Sequence, residues 1–239
     1  MRHDGTNTSS YKEKIKTWLP ETAAAFVLLA LCAYLLKKDA WTFLSWWLLA
    51  LLMGMVAMPV TGRLFSKVFA VCVTGFLTWF FVAAGVLPFT AAVCIGVSVI
   101  CGVFCMFLFN RQQKAGIECY PVQEMKLVVR EEILFFAVFL MWTYLAGFHP
   151  QAYGTEKFMD YGFMEAMMRS DVLPARDLWY SEGHINYYYG GQYFAVFLTK
   201  LTGSQVELTY NLMRTFVAAF AFVLPFSVVY KMSVDRLKK

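Results

Sequence analysis

The chain has 239 residues, of which 59% are hydrophobic, 18% aromatic and 15% charged. A soluble domain averages about 25% charged residues, so this composition excludes an ordinary soluble domain and indicates an integral membrane protein. The net charge of +5 does not point to nucleic acid as a partner, because the basic residues flank hydrophobic segments and form no basic stripe on a nucleic-acid-binding motif.

In chain order, residues 1–17 are polar and are predicted to form a cytoplasmic tail without regular structure. A bilayer span takes about 20 predominantly apolar residues. Six segments qualify: 18–36, 41–60, 64–87, 90–109, 132–148 and 206–230. The first is too long for the apolar core of a signal peptide and lacks a clear small-x-small cleavage site, so it reads as an anchor. The expectation is an all-α integral membrane protein of about six transmembrane helices. Residues 18–110 read as a four-helix module poor in polar side chains, and residues 111–131 as a basic cytoplasmic loop. Residues 132–230 follow as a second module of span, outer loop 149–205 and span, and residues 231–239 as a cytoplasmic tail.

Trp18, Trp41, Trp79 and Trp142 lie near span ends, as an aromatic belt would place them. Lysine and arginine gather in the N-terminal tail, around Arg63 and Lys67, in the 111–131 loop and in the C-terminal tail. By the positive-inside rule those segments face the cytoplasm, which places both termini inside and loop 149–205 outside the cytoplasmic membrane. Lys37 and Lys38 are a mild exception. Five of the six cysteines lie in hydrophobic segments. Cys94, Cys101 and Cys105 recur at helical spacing without a histidine or carboxylate beside them, so they read as packing residues rather than a metal site.

Loop 149–205 has internal order. Phe158, Tyr161, Met164 and Met168, with Met159, Phe163 and Met167, form two adjoining apolar lines at helical spacing. With Asp160, Glu165 and Arg169 between them, they predict an amphipathic helix on the membrane surface. Leu173-Pro174 ends it. A turn-rich link runs from Asp177 to Gly183. A second apolar stretch over 187–201, too short to span, is expected to lie on the membrane as well.

Several residues here suit chemistry. Glu156 and Asp160 are one helical turn apart, so both carboxylates face one side, either as a base, metal or hydroxyl site or as the acidic start of a helix. Asp177 is either a second acid facing the same cleft or a turn aspartate. His184, Asn186, Tyr187, Tyr188 and Tyr189 form a polar-aromatic group, read either as a belt or as a ligand surface for sugar rings. Three consecutive tyrosines cannot share one helix face, so at least one should point toward the protein or a ligand. Arg214 lies inside the last span, where an ionisable side chain defaults to a functional reading. Its guanidinium suits a lipid-linked phosphate or an acidic partner, with snorkelling as the other reading. Asn211 lies on the same face.

The segments Glu156-Lys157-Phe158-Met159-Asp160-Tyr161, Pro174 to Trp179, and Ile185-Asn186-Tyr187-Tyr188-Tyr189-Gly190 resemble the signature of the YYY membrane-protein family, a group of bacterial and archaeal polytopic proteins. The resemblance covers residues 130–230 strongly. Phe158 departs from the proline usual there, and Gly191 from histidine. The same region is more distantly similar to the first outer loop of class C glycosyltransferases. That likeness rests on Asp160, the 187–201 stretch, the turn from Lys200 to Gly203, and Arg214. It implies sugar transfer on the outer face from a polyprenyl-phosphate donor, with Asp160 as base and Arg214 as donor-phosphate ligand. Relatives of this kind are longer, so the chain is expected to be an N-terminal part, or to need a second membrane subunit supplying further helices.

The cofactor is left open: a divalent metal is compatible with the chemistry, and no ligand cluster in the sequence indicates one. The alternative to an enzyme is a non-catalytic subunit or scaffold whose outer loop binds a partner or lipid. A transporter is disfavoured, because the polar residues gather outside the spans and no internal repeat is visible.

Overall fold

The computed structural model describes residues 5–154 and 156–237. Helices α1 (Gly5–Leu36) and α2 (Ala40–Thr61) are joined by a single turn of 3-10 helix, Lys37–Asp39. Then come α3 (Ser66–Ala83), α4 (Ala91–Lys114) and α5 (Val122–Ala146). Two short helices follow, α6 (Lys157–Arg169) and α7 (Gly190–Thr202), before the long α8 (Val206–Leu237). No strand occurs among the described residues, and the one β-bridge pairs Arg176 with His184. The all-α expectation holds. The polar tail differs from it, because α1 already begins at Gly5 and only residues 1–4 lie outside the described residues at that end.

Among the described residues, four helical stretches are long and apolar enough to cross a membrane: Trp18–Thr61, Ser66–Ala83, Ala91–Lys114 and Val206–Arg236. The first runs for 44 residues and takes in the C-terminal part of α1 and all of α2. Helix α5 has 25 residues but carries Arg130, Glu131 and Glu132 in its middle, which keeps it out of that class.

Aromatic rings from α2, α5 and α8 fill the centre. Phe43 stacks on Phe139 with centroids 4.2 Å apart, and Phe220 lies 4.8 Å from both Phe135 and Phe216. Trp46 meets Phe216 edge to face. Burying such rings contributes roughly 1.5–3 kcal/mol each where water is the reference. Between helices in a bilayer, close packing and polar contacts take over that role. Small residues supply the close approach here: Ala50, Gly54 and Ala57 of α2 are buried.

Helix α7 corrects the sequence reading. Residues 187–201 were expected to lie on the membrane, yet the helix starts only at Gly190, and Tyr193 and all of 195–200 are buried within the protein. Six consecutive buried positions leave no lipid-facing side. The helix is held by the Tyr193 hydroxyl, which donates to the Gly75 carbonyl at 2.7 Å, and by Thr199, which donates to Thr209 at 2.8 Å. Gly203 then ends α7 in the left-handed conformation (φ 64°) that glycine adopts without a Cβ clash. Cys94 is fully buried and all six cysteines are free thiols, which fits the packing reading.

Candidate functional site

The site forms where the N-terminal ends of α6 and α7 meet. Glu156 caps α6, and the Asp160 amide donates to its carbonyl at 3.0 Å, so the two acidic residues stand one turn apart as the spacing required. Gln192, in the first turn of α7, donates its side-chain amide to Asp160 Oδ1 at 2.6 Å.

The tyrosine triplet divides its tasks. Tyr187 and Tyr188 stack with ring centroids 3.8 Å apart, and the Tyr187 hydroxyl donates to that of Tyr188. Tyr188 is 70% exposed. That hydrogen bond, together with the nearby charges of Glu156 and Asp160, pushes the Tyr187 phenol up to about 12. Tyr189 turns the other way and accepts from the Trp79 indole at 3.0 Å. One of the three does point into the protein.

Tyr161 lies beside Asp160 on α6 and meets Tyr210 edge to face at 5.8 Å. Burial first, and then Glu165, push the Tyr161 phenol up to about 12. The Arg214 guanidinium sits over the Tyr210 ring at 5.1 Å. Arg214 donates to the Asn211 side-chain oxygen, while the Asn211 amide donates to the Pro150 carbonyl at 2.8 Å. Among the described residues Arg214 makes no ion pair, and it is exposed. The Tyr210 ring therefore meets an accessible cation and Tyr161, the chain neighbour of Asp160 on α6.

Asp177, His184 and Asn186 sit apart from that pair. One oxygen of Asp177 accepts from the backbone amides of Trp179 and Tyr180, at 2.8 and 3.1 Å. This is the turn aspartate of the two readings. The backbone of the 175–177 strip pairs with that of 183–185, which brings Arg176 opposite His184. His184 and Asn186 are exposed on this clasp. Trp179 packs edge to face on Phe158 and Phe163 of α6. Gly162 admits that contact, since a Cβ there would fall 2.7 Å from Leu178. Among the described residues no group of three or more His, Cys, Asp or Glu side chains is placed to hold a metal.

Three residues here have roles that the sequence does not show. Gln192 gives no signal and Trp79 reads only as part of an aromatic belt, because their partners lie 32 and 110 residues away. Lys200 was read only as part of a turn. It is buried, donating to the carbonyls of Phe89 at 2.9 Å and Met168 at 3.0 Å, with the Phe89 ring 4.6 Å below. Burial lowers the Lys200 amine from its ordinary range. The lysine ties the C-terminal end of α6, where positive charge suits the helix dipole, to the segment just before α4. The Phe89 amide closes the same junction by donating to the Asp171 carbonyl at 2.7 Å.

No curated protein and no solved structure matches the chain. A family model described as an uncharacterized membrane protein (DUF2298) matches residues 73–238, from α3 to the end of α8, and so includes every residue of the site. The chain belongs to that family of uncharacterized membrane proteins.

Proposed function

We propose that this protein is a polytopic glycosyltransferase, or the N-terminal part of one, that transfers a sugar from a polyprenyl-phosphate donor on the outer face of the cytoplasmic membrane. The observation that supports it most is the run of contacts from Arg214, over the Tyr210 ring, to Tyr161, the chain neighbour of Asp160 on α6. The proposal takes α1 to α5 and α8 as six spans, with both termini inside and residues 149–205 outside. A second membrane subunit that encloses the site belongs to the same reading.

In the transfer step, Asp160 accepts the proton of an acceptor hydroxyl. The acceptor oxygen bonds to the anomeric carbon, the bond from that carbon to the phosphate oxygen breaks, and polyprenyl phosphate leaves with its charge held by Arg214. Gln192 orients the base, and Tyr187 and Tyr188 offer aromatic faces to a sugar ring. Glu156, Asp177, His184, Asn186 and Tyr189 complete the candidate set, Asp177 and Tyr189 through the loop shape they fix.

The test is Asp160→Asn in membranes supplied with a polyprenyl-phosphate sugar. The expected result is a fall in transfer of about 10²–10⁴-fold, the usual contribution of a general base, with unchanged amounts of protein in the membrane. Normal transfer by that variant would sink the proposal.

A competing reading makes the loop a binding surface of a non-catalytic subunit. It draws on the Gln192–Asp160 bond, which equally pins α6 to α7. On that reading Asp160→Asn is silent, and loss of the apolar face of α6 is not.

A further inference from the structure

A groove on the flank of the bundle plays no part in the proposed transfer. It runs between α1, α2 and α5 and has a volume of about 400 Å³. Leu28, Leu29, Leu52, Val129, Ile133 and Phe136 are among its walls. Leu29 and Leu52 are exposed, so the groove opens sideways, toward the bilayer. Glu132 is the one charged residue in its lining, and that carboxylate is already held by Lys67 at 2.6 Å and by the Trp47 indole at 3.3 Å.

A second cation borders the groove and is held differently. On α1 the lining begins at Ala25, one turn after Glu21. On α5, Arg130 follows the lining residue Val129, and its Nε donates to Glu21 Oε1 at 2.9 Å. The Arg130 side chain is 54% exposed, and its two terminal nitrogens have no partner among the described residues. Arg63, by contrast, is 7% exposed, binds Glu131 and donates to Glu124 at 2.8 Å. Arg130 thus keeps the pair of nitrogens whose fork matches phosphate oxygens. Trp18, at the start of the apolar stretch of α1, lies at the same level, its ring 6.0 Å from Lys126 Nζ, and Lys126 is 3.9 Å from Glu21. Tryptophan is enriched at the headgroup level of a bilayer. Ahead of Trp18, α1 carries Lys12, Lys14 and Lys16 against Glu13. A basic run beside a span draws anionic lipid.

An apolar slot bordered by an open guanidinium fits a molecule with a long chain and a phosphate. We propose that this groove binds an anionic glycerophospholipid of the bilayer, with one acyl chain along α1 and α5 and its phosphate oxygens on the terminal nitrogens of Arg130. The basic run ahead of Trp18 favours a headgroup of net negative charge over a zwitterionic one. A second apolar groove supplies the contrast. It lies between α2, α3 and α4, has a volume of about 190 Å³, and has no charged side chain in its lining. Lipid chains fill that groove without any selection of headgroup.

Photo-crosslinking of the full chain in phosphatidylcholine nanodiscs tests this. The probes are phosphatidylglycerol and phosphatidylcholine, each with a diazirine in one acyl chain, and the labelled positions are mapped by mass spectrometry. Leu28, Met125 and Ile133 of the first groove should take up severalfold more of the phosphatidylglycerol probe than of the phosphatidylcholine probe. Val56 and Cys101 of the second groove should take up both equally. Equal labelling of the first groove by the two probes overturns the proposal. The double variant Glu21→Gln/Arg130→Gln removes the guanidinium without leaving a carboxylate unpaired, and it should erase the preference. A preference retained in that variant overturns the proposal. Leu29→Trp keeps the Glu21–Arg130 pair and fills the groove, so labelling of Met125 and Ile133 should fall severalfold, and an unchanged pattern overturns the acyl-chain placement. Displacement of the phosphatidylglycerol probe by polyprenyl phosphate, but not by excess unlabelled phosphatidylglycerol, would assign the groove to an isoprenoid chain instead.

Discussion

The two ends of the bundle both carry charge, and they handle it in opposite ways. At the Arg63 end, Arg63 and Lys67 are matched by Glu131 and Glu132, with side-chain exposures from 7% to 18%. At the loop end, Asp160 is met by a neutral amide and Arg214 by a neutral amide and a ring. A buried pair has satisfied its charges already and resists change. A charge held by neutral partners is positioned but not neutralised, so its Coulombic capacity is kept for a ligand. Charge at a membrane depth is therefore a weaker sign of chemistry than charge without an opposite partner.

Breaking a pair at the Arg63 end should give the largest effect on stability. Lys67→Met removes the cation 2.6 Å from Glu132 and leaves that carboxylate with the Trp47 indole alone. An uncompensated buried charge costs about 3–5 kcal/mol. Thermal unfolding in detergent should show a marked loss, and the double variant Lys67→Met/Glu132→Leu should recover most of it. A single variant as stable as the parent would erase the contrast between the two ends.

What the sequence disclosed follows the same division. Hydropathy marked a segment within each long helix, because length and apolar content are local properties, and four stretches among the described residues are long and apolar enough to cross a membrane. The period of Phe158, Tyr161, Met164 and Met168 marks α6, whose end at Arg169 falls short of the Leu173-Pro174 stop. Helix α7 was misplaced on the membrane surface, since an apolar side chain looks the same whether it faces lipid or protein. The Asp160–Arg214 relationship was legible only through family resemblance. Gln192 and Lys200 were illegible as functional groups, because their roles come from backbone and side-chain partners brought near by tertiary packing.

Lys200 is the loop end's exception, a buried cation whose only direct polar partners are backbone carbonyls. Lys200→Met would leave the Phe89 and Met168 carbonyls without that donor, at a cost of about 1–3 kcal/mol. The unfolding temperature should fall less than for Lys67→Met. Proteolysis in the 170–189 link should quicken, because the α6–α4 junction loosens first. If Lys200→Met equals Lys67→Met in cost, position in the bundle and not charge pairing governs stability.

The smallest effect probes whether the loop end stays poised across pH. Tyr187 must keep its proton to donate to Tyr188, and that bond is the leading cause of its rise to about 12. An ordinary tyrosine titrates near 10. The stabilisation is thus complete below about 10 and is lost as pH climbs through the folded-state value. With 13 tyrosines in the chain, the Tyr187 signal is isolated by difference against Tyr187→Phe in an ultraviolet phenolate titration. Tyr188→Phe should move that signal down toward the ordinary range while leaving it somewhat raised, since Glu156 and Asp160 still oppose a phenolate there. A midpoint unmoved by Tyr188→Phe would mean that burial and the carboxylates raise it without the hydrogen bond, and the two adjacent rings would then be independent faces rather than one hydrogen-bonded shelf.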